Sequence, residues 1–109
     1  MAYPPTDTIP PIVLPPKYVS ETPVVSPDFS PLLAPTDSVS SINSVTITVI
    51  SGADPSPSAL IKSPAQVSGN VVNQQIQGGV SGTQYLIAVS ILSALGIVRT
   101  IKMSLWVVA

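Results

Sequence analysis

Ten of the thirteen prolines in this chain lie within its first 35 residues, and this bias limits what that part of the chain can fold into. Proline has no backbone N–H and its ring fixes φ at about −65°, so such a dense run excludes a helix or a central strand. From Pro23 to Pro35 a proline stands at every fourth position, and the residues between are mostly apolar. Solvated spacers do not need such apolar side chains. We therefore predict a long extended arm over residues 1–35 that binds protein.

The length of this arm bears on what it contacts. In a polyproline-like conformation, residues 1–35 reach on the order of 100 Å, several times the width of the domain that follows. A small domain offers too little surface for so long an extended segment, so we expect the arm to lie on neighbouring subunits. The alternative is that the arm folds back on its own domain. The candidate interface residues are apolar and aromatic residues of the arm and one tryptophan near the C-terminus: Tyr3, Ile12, Val13, Leu14, Tyr18, Val24, Val25, Phe29, Leu32, Leu33 and Trp106.

After the arm, the sequence changes first to a serine-rich stretch and then to a period of two. The serines of residues 36–44 are typical of a hinge. Residues 45–50 alternate β-branched apolar residues with threonine, which predicts a strand. Residues 70–77 predict a half-exposed strand, and residues 58–61 predict a short, weaker one. The glycines of residues 78–82 predict a tight loop.

The next stretch, residues 85–98, carries no charge and raises the question of a membrane helix. A spanning helix needs about 20 apolar residues. Extending the run adds Arg99 and Lys102, each of which costs about 2.5–3.5 kcal/mol at a bilayer centre. Apolar residues instead alternate on both sides of a turn at residues 93–96, which favours a hairpin of two strands. We predict the hairpin, with a helix over residues 85–108 as the alternative.

These segments together predict an all-β fold. Five or six strands, turn signals about every ten residues and no helical period indicate a small antiparallel sandwich. We divide the chain into an arm at residues 1–35, a hinge at residues 36–44 and a β-sandwich domain at residues 45–109. A domain of this size is marginally stable alone, and uncharged sheet edges invite pairing. We therefore expect copies of the chain to associate.

The charge content excludes several classes of function. Only 8% of the residues are charged, the net charge is −1, and the chain has neither histidine nor cysteine. The four cations form no basic patch for nucleic acid. The usual nitrogen and sulfur metal ligands are missing, and the serines have no histidine to act as a base. Of the scattered carboxylates, Asp37 and Asp54 are typical turn residues. We predict no enzyme activity, no cofactor and no metal.

One pattern in the second half of the chain is more specific than alternation. The pattern begins with the turn and short segment of residues 54–61 and continues with the strand end at residues 74–77. Residues 78–85 follow, with the sequence Gly-Gly-Val-Ser-Gly-Thr-Gln-Tyr, and the hairpin comes after them. This order of a strand, Gly-Gly-x-x-Gly-Thr-x-Tyr and a strand hairpin resembles small structural proteins of tailed bacteriophages, the fibre–tail adaptors. The resemblance covers residues 45–109. It implies an immunoglobulin-like β-sandwich and a virion component, with no catalytic residues to carry over.

We therefore predict a non-enzymatic structural protein of a tailed-phage virion that connects neck or tail to fibres. Its arm would dock on neighbouring subunits. The expected partners are other virion proteins of the neck, tail, fibre or capsid and copies of the chain itself, without nucleic acid or membrane. A capsid decoration or cement protein is the alternative, and a small lysis-type membrane protein is a further one. The proline-rich N-terminus has no features of a secretory signal, so we expect assembly in the host cytoplasm.

Overall fold

Strands dominate the computed structural model, which describes residues 12–109. The strands are β1 (Ile12–Val13), β2 (Lys17–Tyr18), β3 (Val24–Val25), β4 (Val39–Ser51), β5 (Gln66–Ser68), β6 (Val71–Gln75), β7 (Thr83–Ser93) and β8 (Val98–Val108). Two short 3₁₀ turns lie at Ser30–Leu32 and Pro57–Leu60. The all-β class is confirmed.

The larger sheet is built around the long hairpin of β7 and β8. These two strands pair antiparallel without a register shift, from Thr83 opposite Val107 to Leu92 opposite Val98. β4 pairs antiparallel with β7 on one side, whereas β1 and β2 both pair with β8 on the other side and run parallel to it. The sheet is therefore mixed, which differs from the predicted antiparallel arrangement. The arm and β8 are far apart in sequence, so no tight turn forces them to run antiparallel.

The smaller sheet has the strand order β3-β6-β5, and both of its pairings are antiparallel. Side chains from the two sheets form one hydrophobic core. On β7, the alternate residues Tyr85, Ile87, Val89 and Ile91 are each 0% exposed, as the period of two requires for a strand with one buried face.

The structure confirms the predicted hairpin and contradicts the alternative of a helix over residues 85–108. Alternation places every second residue of most of β7 and β8 in the core, whereas a helix would spread the same residues around its circumference. Within residues 12–109, no helix has the length and apolar character needed to cross a membrane.

Two predicted local structures differ from the observed ones. β4 begins at Val39, inside the serine-rich stretch predicted as a hinge, because its ladder with β7 continues to the pair of Val39 and Ser93. The predicted weak strand at residues 58–61 is largely a 3₁₀ turn. Pro57 is its first residue, and a proline there fixes φ in the helical range without losing a needed hydrogen bond.

The described part of the arm, residues 12–35, lies against its own chain. β1 and β2 extend the larger sheet, β3 extends the smaller one, and Asp28 forms an isolated bridge with Val71. For these residues the structure therefore has the alternative arrangement, in which the arm folds back on its own domain, and not the expected one on neighbouring subunits. The short strands alternate with prolines, so each non-proline pair can use its backbone groups at a sheet edge, where proline is tolerated.

Candidate functional site

One face of the larger sheet packs on the core and the opposite face, here called the outer face, is open to solvent. The register places Tyr18 beside Val108 and Val13 beside Ser104, with Trp106 between them on β8. Val13 is 78% exposed, Tyr18 56% and Trp106 39%. We call the group Val13, Tyr18, Trp106 and Val108 the Trp106 patch. It gathers aromatic and aliphatic surface of the kind that anchors protein interfaces.

Backbone hydrogen bonds hold the arm side of the Trp106 patch against β8. The N–H of Leu14 donates to the carbonyl oxygen of Ser104 at 2.9 Å, and the N–H of Val19 donates to that of Val108 at 3.1 Å. The arm is therefore fixed both between β1 and β2 and just beyond β2. This bonding makes Val13 and Tyr18 part of a preorganised surface, which lowers the entropy cost of binding.

A buried lysine determines which way Tyr18 points. Lys17 is 2% exposed, and its Nζ donates to the carbonyl oxygens of Tyr18 at 2.7 Å and Glu21 at 3.0 Å. Desolvation lowers the pKa of Lys17, while the Glu21 carboxylate acts in the opposite direction. Successive residues of a strand face opposite sides, so the inward position of Lys17 leaves Tyr18 on the outer face.

A second exposed apolar group lies at the turn between β7 and β8. Leu95 is 62% exposed, Val98 54% and Leu92 37%, and the last two are directly paired. We call these three residues the hairpin tip. At about 3.3 Å per residue, the eight steps along β8 from Val98 to Trp106 separate the hairpin tip from the Trp106 patch by about 26 Å.

A carboxylate attaches the hairpin tip to the start of β4. Asp37 Oδ1 accepts hydrogen bonds from the N–H of Ser38 at 2.8 Å and of Leu95 at 3.1 Å. Desolvation by itself raises the pKa of Asp37. Together, the Ser93 hydroxyl and the backbone N–H groups of Ser38, Leu95 and Ala94 outweigh desolvation and hold the pKa of Asp37 below its ordinary value. Leu95 therefore projects from a turn whose backbone is fixed.

The outer face between these two groups mixes polar, small and aliphatic side chains and is nearly uncharged. Thr100 lies opposite Ser90, and Lys102 lies opposite Ala88. Lys102 is the one charged side chain among the outer-face positions of β7 and β8. A protein partner of this face would therefore be held by burial of apolar surface, which salt screens little, rather than by ion pairs.

The predicted interface residues fall into different parts of the structure. Val13, Tyr18 and Trp106 come together in the Trp106 patch. Ile12 is 49% exposed beside Met103, and Val24 is 54% exposed in the smaller sheet. The partly buried residues that pack against the core are Leu14, Leu32 and Leu33. Tyr3 lies outside the described residues.

The remaining two predicted interface residues, Val25 and Phe29, are core residues of the same chain. Val25 is 7% exposed and Phe29 is 0% exposed. The N–H of Phe29 donates to the carbonyl oxygen of Asn70 at 2.9 Å, which fixes the backbone where the ring enters the core. These side chains are not available to a partner of the folded chain. Burial of these two side chains stabilises the fold through the hydrophobic effect, a contribution that would be absent if the arm were exposed.

Four exposed residues of these surfaces were not among the predicted interface residues: Leu92, Leu95, Val98 and Val108. Val108 lies two residues after Trp106 on β8 and therefore faces the same side of the sheet. The alternation that exposes Trp106 thus already indicates that Val108 is exposed. Leu95 stands in a turn, where the period of two ends. The sequence pattern does not indicate which way Leu95 points. The hydrogen bond from the N–H of Leu95 to Asp37, a contact in the tertiary structure, fixes the turn that exposes it.

The glycine loop and Tyr85 have a structural role. Tyr85 donates its hydroxyl hydrogen to Asp54 Oδ2 at 2.7 Å and accepts a hydrogen bond from the N–H of Val80 at 2.8 Å. Desolvation and the bond to Asp54 raise the pKa of Tyr85. Gly79 has a φ of +97°, and a Cβ there would lie 2.9 Å from Cγ2 of Val107. The loop therefore packs closely on β8.

The described residues show little reactive chemistry. A pocket of about 350 Å³ lies where the arm crosses between the sheets, lined by prolines and aliphatic residues together with Lys17 and Glu21. The Lys17 ammonium is already occupied by backbone carbonyls. Within residues 12–109, no group of three or more His, Cys, Asp or Glu residues is placed to hold a metal ion. The surfaces described above are suited to contact with protein.

Comparison with known families gives one result. Residues 17–108 match the family model described as "Gp77: Podophage GP4 fiber-tail adaptor protein gp77". The match includes β2 to β8, and therefore Tyr18 and Trp106 of the Trp106 patch and the whole hairpin tip. No curated protein matches the chain.

Proposed function

The chain belongs to the family of the podophage GP4 fiber-tail adaptor protein gp77, and on that premise we propose that it is a non-enzymatic connector between tail and fibre. The observation that carries this proposal is the presence of two exposed apolar surfaces at opposite ends of β8. An adaptor has to hold two partners at once without one displacing the other. The Trp106 patch and the hairpin tip provide separate surfaces on one rigid hairpin.

The composition of the two surfaces supports different modes of contact. Trp106 and Tyr18 are large, rigid side chains with a polar atom at one end, which suits the centre of an interface. The hairpin tip presents only aliphatic side chains on a turn, which suits insertion into a complementary groove. In the proposed connector, the Trp106 patch binds one virion protein and the hairpin tip binds the other.

The arm has a part in the same proposal. Ile12 and Val24 remain exposed although the arm is paired with its own domain, and they would contact neighbouring subunits of the particle. We propose the same role for Tyr3, which precedes this paired region in the sequence. An immunoglobulin-like sandwich is proposed for the fold, supported by two sheets that share one core. The protein would assemble in the host cytoplasm and remain in the virion.

Two pairs of substitutions test the two-surface connector. In phage that carry the tagged full chain, W106S with Y18S is expected to weaken retention of one partner by at least about tenfold, because the truncated residues are candidate hot spots. L95S with V98S is expected to weaken retention of the other partner. The measurement is quantitative co-purification of tail and fibre proteins with the tagged chain.

The control is T100A, an exposed substitution between the two surfaces, which should change neither retention. If both double variants keep both partners, the proposed surfaces are wrong. Imaging of particles with the labelled chain provides a separate test of location. A label at the tail supports the connector, whereas a label spread over the capsid shell supports the decoration protein instead.

A further inference from the structure

The two edges of the larger sheet are protected to different degrees. At one edge, β1 and β2 are each two residues long, and Pro15 and Pro16 lie between them. Short strands and prolines leave few N–H groups in a row, which is a common means of preventing further pairing. At the other edge, β4 runs for 13 residues. β4 is therefore the less protected edge of the larger sheet.

β4 has none of the usual sequence protections of an edge strand. The sequence from Ser38 to Ala53 contains neither a proline nor a charged residue. Within residues 12–109, β7 is the one strand that pairs with β4. The 3₁₀ turn Pro57–Leu60 and β5 contact β4 but do not form a ladder with it. In such a strand, about half of the N–H and C=O groups point away from the sheet.

The central part of β4 is regular enough to accept a further strand. Register shifts lie on both sides of the segment from Ser44 to Val49, but that segment itself pairs with β7 without interruption. Ile47 is 5% exposed, whereas Val45 and Val49, which face the same way, are only partly buried. The residues opposite them on β7 are fully buried. An added strand would cover the flanks of Val45 and Val49.

We propose that β4 pairs with β4 of a second copy of this chain, antiparallel and around a two-fold axis at Ile47. In this register, Val45 lies opposite the partner's Val49, and Thr46 lies opposite the partner's Thr48. Core-facing residues then meet core-facing residues, and the two large sheets become one continuous sheet. The exposed threonines form cross-strand pairs, which stabilise a sheet.

The identity of the occupant follows from the strand itself. A two-fold pairing brings identical surfaces together, and β4 has no charge that would repel its copy. The alternation of apolar residues facing inward with threonines facing outward is also self-complementary in this register. The arm of another copy is a poorer occupant, because its prolines lack N–H groups and its described strands pair over only two residues each. The pairing uses an edge of the sheet and is independent of both connector surfaces.

The first test measures the mass of the full chain over a concentration range of about 1–100 µM by sedimentation. The wild-type chain is expected to form dimers. T46K with T48K is expected to weaken the dimer at least about tenfold, because like charges then stand opposite each other. T46K with T48E carries the same number of new charges at the same positions, and it should dimerise because opposite charges meet across the axis.

Circular dichroism of each variant is expected to show a folded chain, because both substituted threonines are exposed in the single chain. An equimolar mixture of the T46K/T48K chain with a T46E/T48E chain should restore the dimer. A second measurement, hydrogen exchange at low and high concentration, should show slower exchange at residues 44–49 in the dimer. W106S should leave the dimer unchanged, which separates this pairing from the connector surfaces.

The proposal is overturned if the wild-type chain is monomeric throughout the range, or if T46K/T48K dimerises as well as the wild type. It is also overturned if residues 44–49 become protected only when a virion protein other than this chain is added. In that last case the edge accepts a strand of a different protein.

Discussion

The hairpin of β7 and β8 and the proline-rich segment of residues 12–35 lie in the same molecule but are held in different ways. The hairpin is continuous: ten successive residues of β7 have partners on β8, from Thr83 to Leu92. The proline-rich segment pairs with the sheets through three strands of two residues each, an isolated bridge at Asp28 and single backbone hydrogen bonds such as that of Phe29. The hairpin is therefore stabilised by a continuous ladder, whereas the arm is held by short, separate backbone contacts and a few anchoring side chains.

The proline-rich segment has one conformation although it cannot form regular structure alone. Phe29 and Val25 enter the core shared by both sheets, and the buried Lys17 ammonium binds carbonyl groups of the turn that follows β2. Proline also reduces the conformational entropy of the unfolded chain, so ordering such a segment costs less. A small number of anchors is then sufficient.

Removing the main anchor of the arm should have the largest effect. F29A is expected to lower the free energy of unfolding by about 3–5 kcal/mol, because it leaves a cavity where a fully buried ring packs. Y18A, on the exposed side of the arm, is the matched control and should change stability by less than about 0.5 kcal/mol. Urea unfolding followed by circular dichroism measures both. A loss below about 1 kcal/mol for F29A would contradict the anchoring role.

A substitution in the glycine loop tests how closely that loop packs on the hairpin. G79A is expected to destabilise the chain by about 2–3 kcal/mol, since φ is positive and the new Cβ would meet Val107. Gly69 also has a positive φ, but a Cβ there meets nothing within 4 Å. G69A should therefore cost only about 1 kcal/mol. Equal losses for the two variants would show that backbone strain alone accounts for the effect.

The smallest expected effect concerns the bond between Asp37 and the hairpin tip. The pKa of Asp37 is lowered in the folded chain, so its ionised form stabilises the fold above the ordinary carboxyl pKa. This contribution is lost as the pH falls through the folded pKa. Thermal unfolding should show a lower midpoint for D37N than for wild type at neutral pH, with the difference shrinking below about pH 4.

Asp28 offers a comparison within the arm. Hydrogen bonds from the Ser30 hydroxyl and N–H lower its pKa as well. Its bonds are local to one turn, whereas Asp37 joins the start of β4 to the hairpin turn. D28N should therefore shift the midpoint less than D37N does. The opposite order would mean that the bond from Leu95 to Asp37 contributes little to the fold.

Much of the strand content could be predicted from the sequence. Alternation in residues 85–92 and 100–107 indicated both the hairpin and the faces of Tyr85 and Trp106, because a period of two has a direct meaning in a sheet. The start of β4 at Val39 was not indicated. Serines in that segment favour a hinge when considered alone, and only the ladder with β7 makes them part of a strand.

The candidate site was predicted in part. The apolar content of the arm identified side chains whose burial is favourable. It did not distinguish the residues that are buried in the core of the same chain from those that stay exposed. Phe29 and Tyr18 are both aromatic residues between prolines. One is buried and the other is exposed because of the register that the arm adopts on the two sheets.

The sequence by itself determined the class of the fold, the hairpin and the scarcity of charge, because these follow from local periodicity and from composition. Within residues 12–109, the tertiary structure decided where the arm lies, which of its side chains face outward, and which sheet edge has no further strand paired to it. Those outcomes depend on contacts between residues far apart in the chain. Their free energy comes from burial against a surface that exists only once the sheets have formed.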